Sequence, residues 1–112
     1  MVRLMRVERW DPRRDGALTE AALRHKIETR GYQVSKCDWP AGTVVAPEAN
    51  PRERLDAVLS GLVRITIDEE SAILAAGDMV FVPRGAVRGA QVVGASPALS
   101  FNAVYQGVPR KK

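Results

Sequence analysis

The stretch GDMVFVPRGAVRGAQV, residues 77–92, decides the fold, together with an earlier stretch, GTVVAPEANPRERLDAVLSG, residues 42–61. Glycine or proline marks the turns of both stretches, and Gly61 and Gly77 lie 16 positions apart in the chain. Between these turn-forming residues lie short apolar runs rich in β-branched side chains, a pattern typical of strands joined by tight turns. The two stretches therefore predict an all-β core whose turns lie at these glycines and prolines.

The spacing of glycine and proline resembles the two sequence motifs of the cupin family. The first family motif reads Gly, five residues, His-x-His, three or four residues, Glu, six residues, Gly. The second reads Gly, five residues, Pro-x-Gly, two residues, His, three residues, Asn. Gly42 and Gly61 match the first frame, and Gly77, Pro83 and Gly85 match the second. The resemblance implies an all-β fold, a cupin-like double-stranded β-helix (jelly-roll) barrel with one N-terminal helix.

We expect a single cupin-like domain over residues 1–112, because a chain of this length has room for one core. Its predicted parts are an N-terminal strand and helix over 1–30, the barrel over 31–105 and a basic tail over 106–112. Thr19 is predicted to cap the helix, and Gly31 to end it. The apolar stripe of this helix is narrow, so the helix should lie on the outside of the barrel.

After the helix, the apolar pattern changes to alternating or continuous runs of four to eight residues, which predict strands. The predicted strands are Tyr32–Cys37, Thr43–Ala46, Leu55–Leu59, Val63–Ile67, Ser71–Leu74, Met79–Val82, Val87–Val93 and Ala98–Tyr105. The N-terminal segment is a further candidate, as an edge strand. Asp68, Glu69 and Glu70 are predicted to form a hairpin turn.

The positions at which the family holds a metal ion carry other residues in this chain. Laid on without gaps, the two His positions of the first motif fall on Glu48 and Asn50, and its Glu falls on Arg54. The His of the second motif falls on Arg88, and its Asn on Val92. A guanidinium has no lone pair to donate and carries a permanent positive charge. We therefore expect no metal and no other cofactor.

The resemblance implies that these substituted side chains point into the barrel and form a small polar pocket. Glu48 could pair with Arg88 or Arg54 in place of the ion. Asp56 shares a strand face with Arg54 by period two and could balance the second arginine. The fork of a guanidinium in a concave pocket suits a carboxylate or a phosphate. The predicted ligand-binding residues are therefore Glu48, Asn50, Arg54, Asp56 and Arg88.

Three functions are compatible with such a pocket. The first is a metal-free protein that binds a small anionic molecule, with regulation as one possible role. The second is a metal-independent enzyme, isomerase-like or lyase-like, in which Glu48 is the acid or base. A neighbouring arginine would lower the pKa of Glu48 and favour the role of base. The third is a structural or partner-binding protein with a vestigial pocket. The sequence leaves open the ligand, the pathway and whether any reaction is catalysed.

The composition argues against two classes of partner. The net charge is +4, but the arginines are dispersed among acidic residues, so we expect no nucleic-acid partner. No run approaches the ~18 apolar residues of a membrane span, and charges fill the start of the chain. We therefore expect a cytoplasmic protein with no membrane partner.

Cys37 and His25 have no partners at ligand spacing, so they are interpreted as a structural thiol and a solvated helix residue. The resemblance also implies a homodimer, because small cupins usually bury an outer sheet against a second subunit. The segment Leu4–Trp10 could add a strand across that interface.

Overall fold

Two antiparallel sheets packed face to face form the core of the computed structural model, which describes residues 5–107. In chain order the elements are β1 (Val7–Glu8), α1 (Pro12–Asp15), α2 (Glu20–Glu28), β2 (Tyr32–Trp39), β3 (Val44–Ala49), β4 (Arg54–Ser60), β5 (Leu62–Ile67), β6 (Glu70–Leu74), β7 (Met79–Val82), β8 (Val87–Val93) and β9 (Ala98–Tyr105). The first sheet has the order β1-β7-β4-β9-β2, and the second has the order β3-β8-β5-β6. This architecture confirms the all-β jelly-roll fold.

All eight predicted strands are present, with ends displaced by three residues at most. Of the predicted N-terminal edge strand, only Val7 and Glu8 form a strand, and they pair with β7 of the same chain. The structure therefore places this strand in the first sheet of its own chain, and Leu4 lies outside the described residues. Among residues 5–107, no helix is long and apolar enough to cross a membrane.

The helical region contains one more helix than the sequence predicted. Asp11 accepts a hydrogen bond from the backbone N–H of Arg13, and Pro12 opens the single-turn helix α1. The predicted helix is α2, and Thr19 Oγ1 caps it by accepting from Ala22 N at 3.0 Å. This helix ends within three residues of Gly31, and it packs on the outer face of the first sheet. Its position outside the barrel is as predicted.

The alternation of side chains along the strands divides the apolar residues into two clusters. The cluster between the two sheets contains, among others, Val58, Val63, Ile65, Ile67, Leu74, Val80, Val82, Ala90, Val92 and Ala98. The cluster between α2 and the outer face of the first sheet contains Leu23, Ile27, Tyr32, Leu55, Ala57, Met79, Phe101 and Ala103. Residues of β4 therefore alternate: Leu55 and Ala57 face α2, whereas Val58 faces the space between the sheets.

Two of the frame glycines occupy positions that no larger residue fits. Gly61 and Gly77 both have positive φ angles, 84° and 89°. A Cβ on Gly61 would lie 2.6 Å from the carbonyl oxygen of Pro97, and a Cβ on Gly77 would lie 2.5 Å from Cβ of Trp10. The glycine pattern therefore reflects close packing at the turns as well as their backbone conformation.

Candidate functional site

The barrel has an apolar end and a polar end, and the polar end contains three of the predicted site residues. Arg54 and Asp56 lie in the first half of β4, on the face that also carries the buried Val58. Arg88 lies at the start of β8 in the opposite sheet, paired with the inward-facing Ile67. The inner face at this end of the barrel is therefore charged, although the rest of it is apolar.

Arg88 and Asp56 form a buried ion pair that joins the two sheets. Arg88 Nη2 donates to Asp56 Oδ1 at 3.2 Å. Arg88 Nε lies 2.9 Å from Asp56 Oδ2, without the alignment of a hydrogen bond. The two side chains are 6% and 5% exposed. Burial raises the pKa of the Asp56 carboxyl, and the charges of Arg88 and Arg54 oppose that rise.

The ion pairs of the site differ from the sequence expectation, in which Glu48 pairs with Arg88 or Arg54 and Asp56 balances the second arginine. Glu48 lies directly opposite Arg88 in the register of β3 and β8, but its side chain is exposed. Within the described part of the chain, no ion pair joins Glu48 to Arg88 or Arg54. The correction has a physical reason, because a buried guanidinium needs a counterion that is itself shielded from water, and Asp56 is 3% exposed.

The fifth predicted residue, Asn50, lies outside this polar end. It sits in the loop between β3 and β4, where its Oδ1 accepts a hydrogen bond from the backbone N–H of Arg52 at 2.9 Å. Asparagine commonly stabilises turns in this way. The structure therefore brings Arg54, Asp56 and Arg88 together, and leaves Glu48 and Asn50 at the mouth of the barrel.

Arg54 is the least satisfied side chain of the site. Its Nε and Nη2 atoms are buried, and neither has a hydrogen-bond partner among residues 5–107. Burial lowers the pKa of Arg54, and the charge of Arg88 lowers it further. Arg54 as a residue is only half-buried, so its side chain forms part of the boundary between the interior and the solvent.

Sequence reasoning missed two residues of the same site, Ser100 and Asn102 on β9. Asn102 lies opposite Asp56 in the register of β4 and β9, and Ser100 lies two residues further along the same face. Ser100 Oγ and Asn102 Oδ1 are buried, and no described residue hydrogen-bonds to either atom. A signal was present, because these polar residues alternate with Leu99, Phe101 and other apolar residues.

We call Arg54, Asp56, Arg88, Ser100 and Asn102 the interior polar cluster. It holds two guanidinium groups and one carboxylate, so it has an excess of one positive charge. The half-buried Cys37 lies beside it, opposite Ser100 in the register of β2 and β9, and burial raises the pKa of its thiol. No three His, Cys, Asp or Glu side chains in the described part of the chain converge in a way that could hold a metal ion.

Three cavities of the protein lie outside the barrel interior, with volumes of about 260, 260 and 200 Å³. One lies between β1 and the outer face of the first sheet, where Leu55, Met79 and Phe81 line it. Another lies on the outer face of the second sheet. The interior polar cluster is closed by its own side chains in this structure, since its unpaired atoms are shielded from solvent.

Comparisons with known proteins agree with this architecture. The chain resembles an RmlC-like cupin from Shewanella frigidimarina, with 20% identity and a TM-score of 0.60 over 67% of this chain and 66% of that chain. It also resembles AerE from Microcystis aeruginosa, with 16% identity and a TM-score of 0.64 over 68% of this chain and 36% of that chain. The Cnp3 cupin domain of Schizosaccharomyces pombe matches with 14% identity and a TM-score of 0.62 over 69% of this chain and 54% of that chain. The match spans less than two thirds of each of these chains, and at such identities it establishes the fold alone.

The sequence comparisons identify a family but no individual relative among curated proteins. No curated protein sequence matches the chain significantly. A family model described as a cupin domain matches residues 35–104, which include both glycine-framed stretches and most of the barrel. With this match and the two-sheet jelly roll, the chain belongs to the cupin family.

Proposed function

We propose that this cupin binds a small anionic molecule at the interior polar cluster, without a metal ion. The observation that carries the proposal is that Nε and Nη2 of Arg54 are buried without a hydrogen-bond partner, in a cluster where one carboxylate lies near two arginines. A bound carboxylate would accept hydrogen bonds from Nε and Nη2 of Arg54 and would neutralise the excess charge.

The energetics of Arg54 favour such a ligand. An unsatisfied buried donor costs about 1–3 kcal/mol, and more when the group is charged. Asp56 attracts Arg54 electrostatically but gives it no hydrogen bond, since its hydrogen-bonded partner is Arg88. The closed arrangement is therefore a high-energy position for the Arg54 side chain, and a ligand that satisfies its donors recovers part of the penalty.

Space for the ligand comes from the small side chains beside the cluster. Cys37 and Ser100 are small residues that face the interior from adjacent strands. Because Arg54 is half-buried, a small change of its rotamer would admit a ligand while Nε and Nη2 still contact it, without movement of the strands. The proposal therefore requires a change of rotamer and leaves the fold unchanged.

Anion binding tests the proposal directly. We would measure the melting temperature and the heat of binding with sodium acetate, sodium succinate and inorganic phosphate, against sodium chloride at the same ionic strength. We expect at least one of these anions to bind, and Arg54→Met to abolish the binding. Arg13→Gln is the matched control, because it removes one positive charge from the exposed helix α1. If no small anion, including the monocarboxylates tested below, acts beyond the chloride control, or if R54M binds like the unaltered protein, the proposal is wrong.

The absence of a metal is part of this proposal and has its own test. Two of the four family ligand positions carry arginine, and the guanidinium of Arg88 is fixed by Asp56. Elemental analysis of untagged protein is expected to show far less than one transition-metal ion per chain. A stoichiometric amount of zinc, iron, manganese or nickel would require a different account of the cluster.

A further inference from the structure

We infer that the ligand of the interior polar cluster is a small hydroxycarboxylate, an inference that rests on the proposed function above. The unpaired atoms are of two kinds. Arg54 offers two N–H donors, whereas Asn102 Oδ1 is an acceptor and Ser100 Oγ can accept or donate. A partner that satisfies both kinds must accept hydrogen bonds at one end and donate one at the other, as a carboxylate with a nearby hydroxyl does.

The strand register sets the distance between the two ends of the ligand. Arg54 lies opposite Val104 and Asp56 lies opposite Asn102, so Arg54 and Asn102 are diagonal neighbours on one face of the sheet. Such neighbours have Cα atoms about 7–8 Å apart, a separation that their two side chains largely span. The carboxylate and the hydroxyl must therefore sit on adjacent or next-adjacent carbons, which gives a 2-hydroxy or 3-hydroxy acid of a few carbons.

The charge of the cluster narrows the class further. Within the cluster Arg54 and Arg88 exceed Asp56 by one positive charge, and the exposed Glu48 already offsets part of it, so the cluster can neutralise a monoanion at most. A dianion would place a second negative charge near the buried Asp56, which is unfavourable at low dielectric. A phosphate dianion keeps one hydroxyl proton that could be donated to Asn102, so it is disfavoured by its charge alone. The cluster therefore favours a monocarboxylate with a hydroxyl over succinate and over inorganic phosphate.

Matched pairs of acids test this inference. Calorimetry would compare glycolate with acetate, lactate with propionate, and 3-hydroxybutyrate with butyrate, at equal ionic strength. We expect the hydroxylated member of at least one pair to bind about tenfold more tightly, because its analogue leaves the acceptors of the site unpaired. Asn102→Leu and Ser100→Ala should each reduce that preference, and Ser71→Ala on the second sheet should leave it unchanged. Circular dichroism identifies any variant that fails to fold, and S100A remains available if N102L does not fold.

The outcomes separate the inference from the proposed function. If both members of every pair bind equally and Arg54→Met abolishes the binding, the anion site stands and the hydroxycarboxylate assignment is wrong. A hydroxyl preference that survives unchanged in both folded variants also overturns the assignment. If none of the six acids binds, the inference is overturned, and the succinate and phosphate measurements decide the proposed function separately.

Discussion

At the scale of single residues, the Arg88–Asp56 pair ties the two sheets together at a point where other members of the family hold a metal ion. A buried ion pair costs much of its Coulombic attraction in desolvation, so it adds little net stability. Removal of one partner is different, because it leaves an uncompensated charge in the interior. The pair therefore fixes the positions of the two side chains and makes the replacement of either one alone costly. Its net contribution to the free energy of unfolding is small.

A double-mutant cycle measures this constraint. We expect Arg88→Met and Asp56→Leu each to lower the free energy of unfolding by about 3–5 kcal/mol, and the double variant to recover most of the loss. Glu48→Gln serves as the control and should change it by less than about 0.5 kcal/mol, because Glu48 is exposed. Urea denaturation gives all four values. Additive losses in the double variant would show that the two side chains act independently.

The residue scale is also where sequence reasoning was weakest. Period two correctly placed Arg54 and Asp56 on one face of a strand, since this depends on local geometry alone. The partner of Arg88 depends on which side chain reaches across the space between the two sheets. The spacing of residues along the chain does not predict distances between the sheets. The family motifs did not indicate Ser100 and Asn102, because the motifs end before β9.

At the scale of elements, the sequence was a better guide. Strand ends were predictable because glycine and proline break the apolar runs at the turns. Helix α1 was missed because Asp followed by Pro is typical of a break after a strand, although a capping aspartate followed by proline is also a typical helix start. The Asp-Pro pair alone does not distinguish a break from a helix start, and α1 is only a single turn stabilised by local hydrogen bonds.

The turn before β7 allows a test of the glycine frame. Gly77 and Gly85 have similar positive φ angles, 89° and 82°. A Cβ at Gly77 would collide with Trp10, whereas a Cβ at Gly85 has nothing within 4 Å. We expect Gly85→Ala to cost about 1–2 kcal/mol of backbone strain, and Gly77→Ala to cost about 1–3 kcal/mol more from overpacking. Thermal unfolding of both variants compares the two costs, and equal costs would contradict the clash.

The attachment of β1 to α2 depends on an ion-pair network around Glu8. Arg30 donates to both carboxylate oxygens of Glu8 at 2.8 Å, and Lys26 Nζ lies 3.0 Å from Oε2. The hydrogen bonds from Arg30 and Lys26 lower the pKa of Glu8 from 4.5 to about 2, although burial opposes the shift. Because the folded-state pKa is depressed, this stabilisation is complete above about pH 4.5 and is lost as the pH falls toward 2.

We therefore expect Glu8→Gln to lower the melting temperature at pH 7, and the difference from the unaltered protein to shrink between pH 4.5 and pH 2. Glu69→Gln is the control, because Glu69 is an exposed residue of the β5–β6 turn. Calorimetry across this pH range supplies the comparison. High salt should also reduce the effect at pH 7, since Glu8 is partly exposed and its ion pairs are screened. A difference that stays constant down to pH 2 would rule out the ionic explanation.

At the scale of the whole molecule, the two sheets are covered differently. Helix α2 packs on the first sheet, whereas the outer face of the second sheet exposes Val44, Leu62 and Ile73, with relative exposures of 67%, 43% and 50%. Arg64 and Gln91 lie between Ile73 and Val44 in the register of the sheet, and such a mixed apolar and polar face is typical of a non-obligate interface. We propose that a second copy of the chain covers this face, which gives the homodimer implied by the family resemblance.

Light scattering at micromolar concentration tests this proposal. We expect a mass of two chains for the unaltered protein, and Ile73→Lys should shift it toward one chain by placing a charge in the interface. Ala21→Lys, on the exposed side of α2, adds the same charge elsewhere and should leave the dimer intact. A monomer at every concentration would contradict the proposal, and a dimer unaffected by I73K would move the interface to another face.

The position of β9 has a consequence for how the protein is made. This strand lies between β4 and β2 in the first sheet, yet it is the last strand of the described chain. The second sheet is complete once Val93 has left the ribosome, but the inner edges of β2 and β4 have no hydrogen-bonding partner until Ala98–Tyr105 follows. The barrel therefore closes only after β9 has been synthesised, and until then the nascent chain exposes two unpaired strand edges to chaperones and to neighbouring chains.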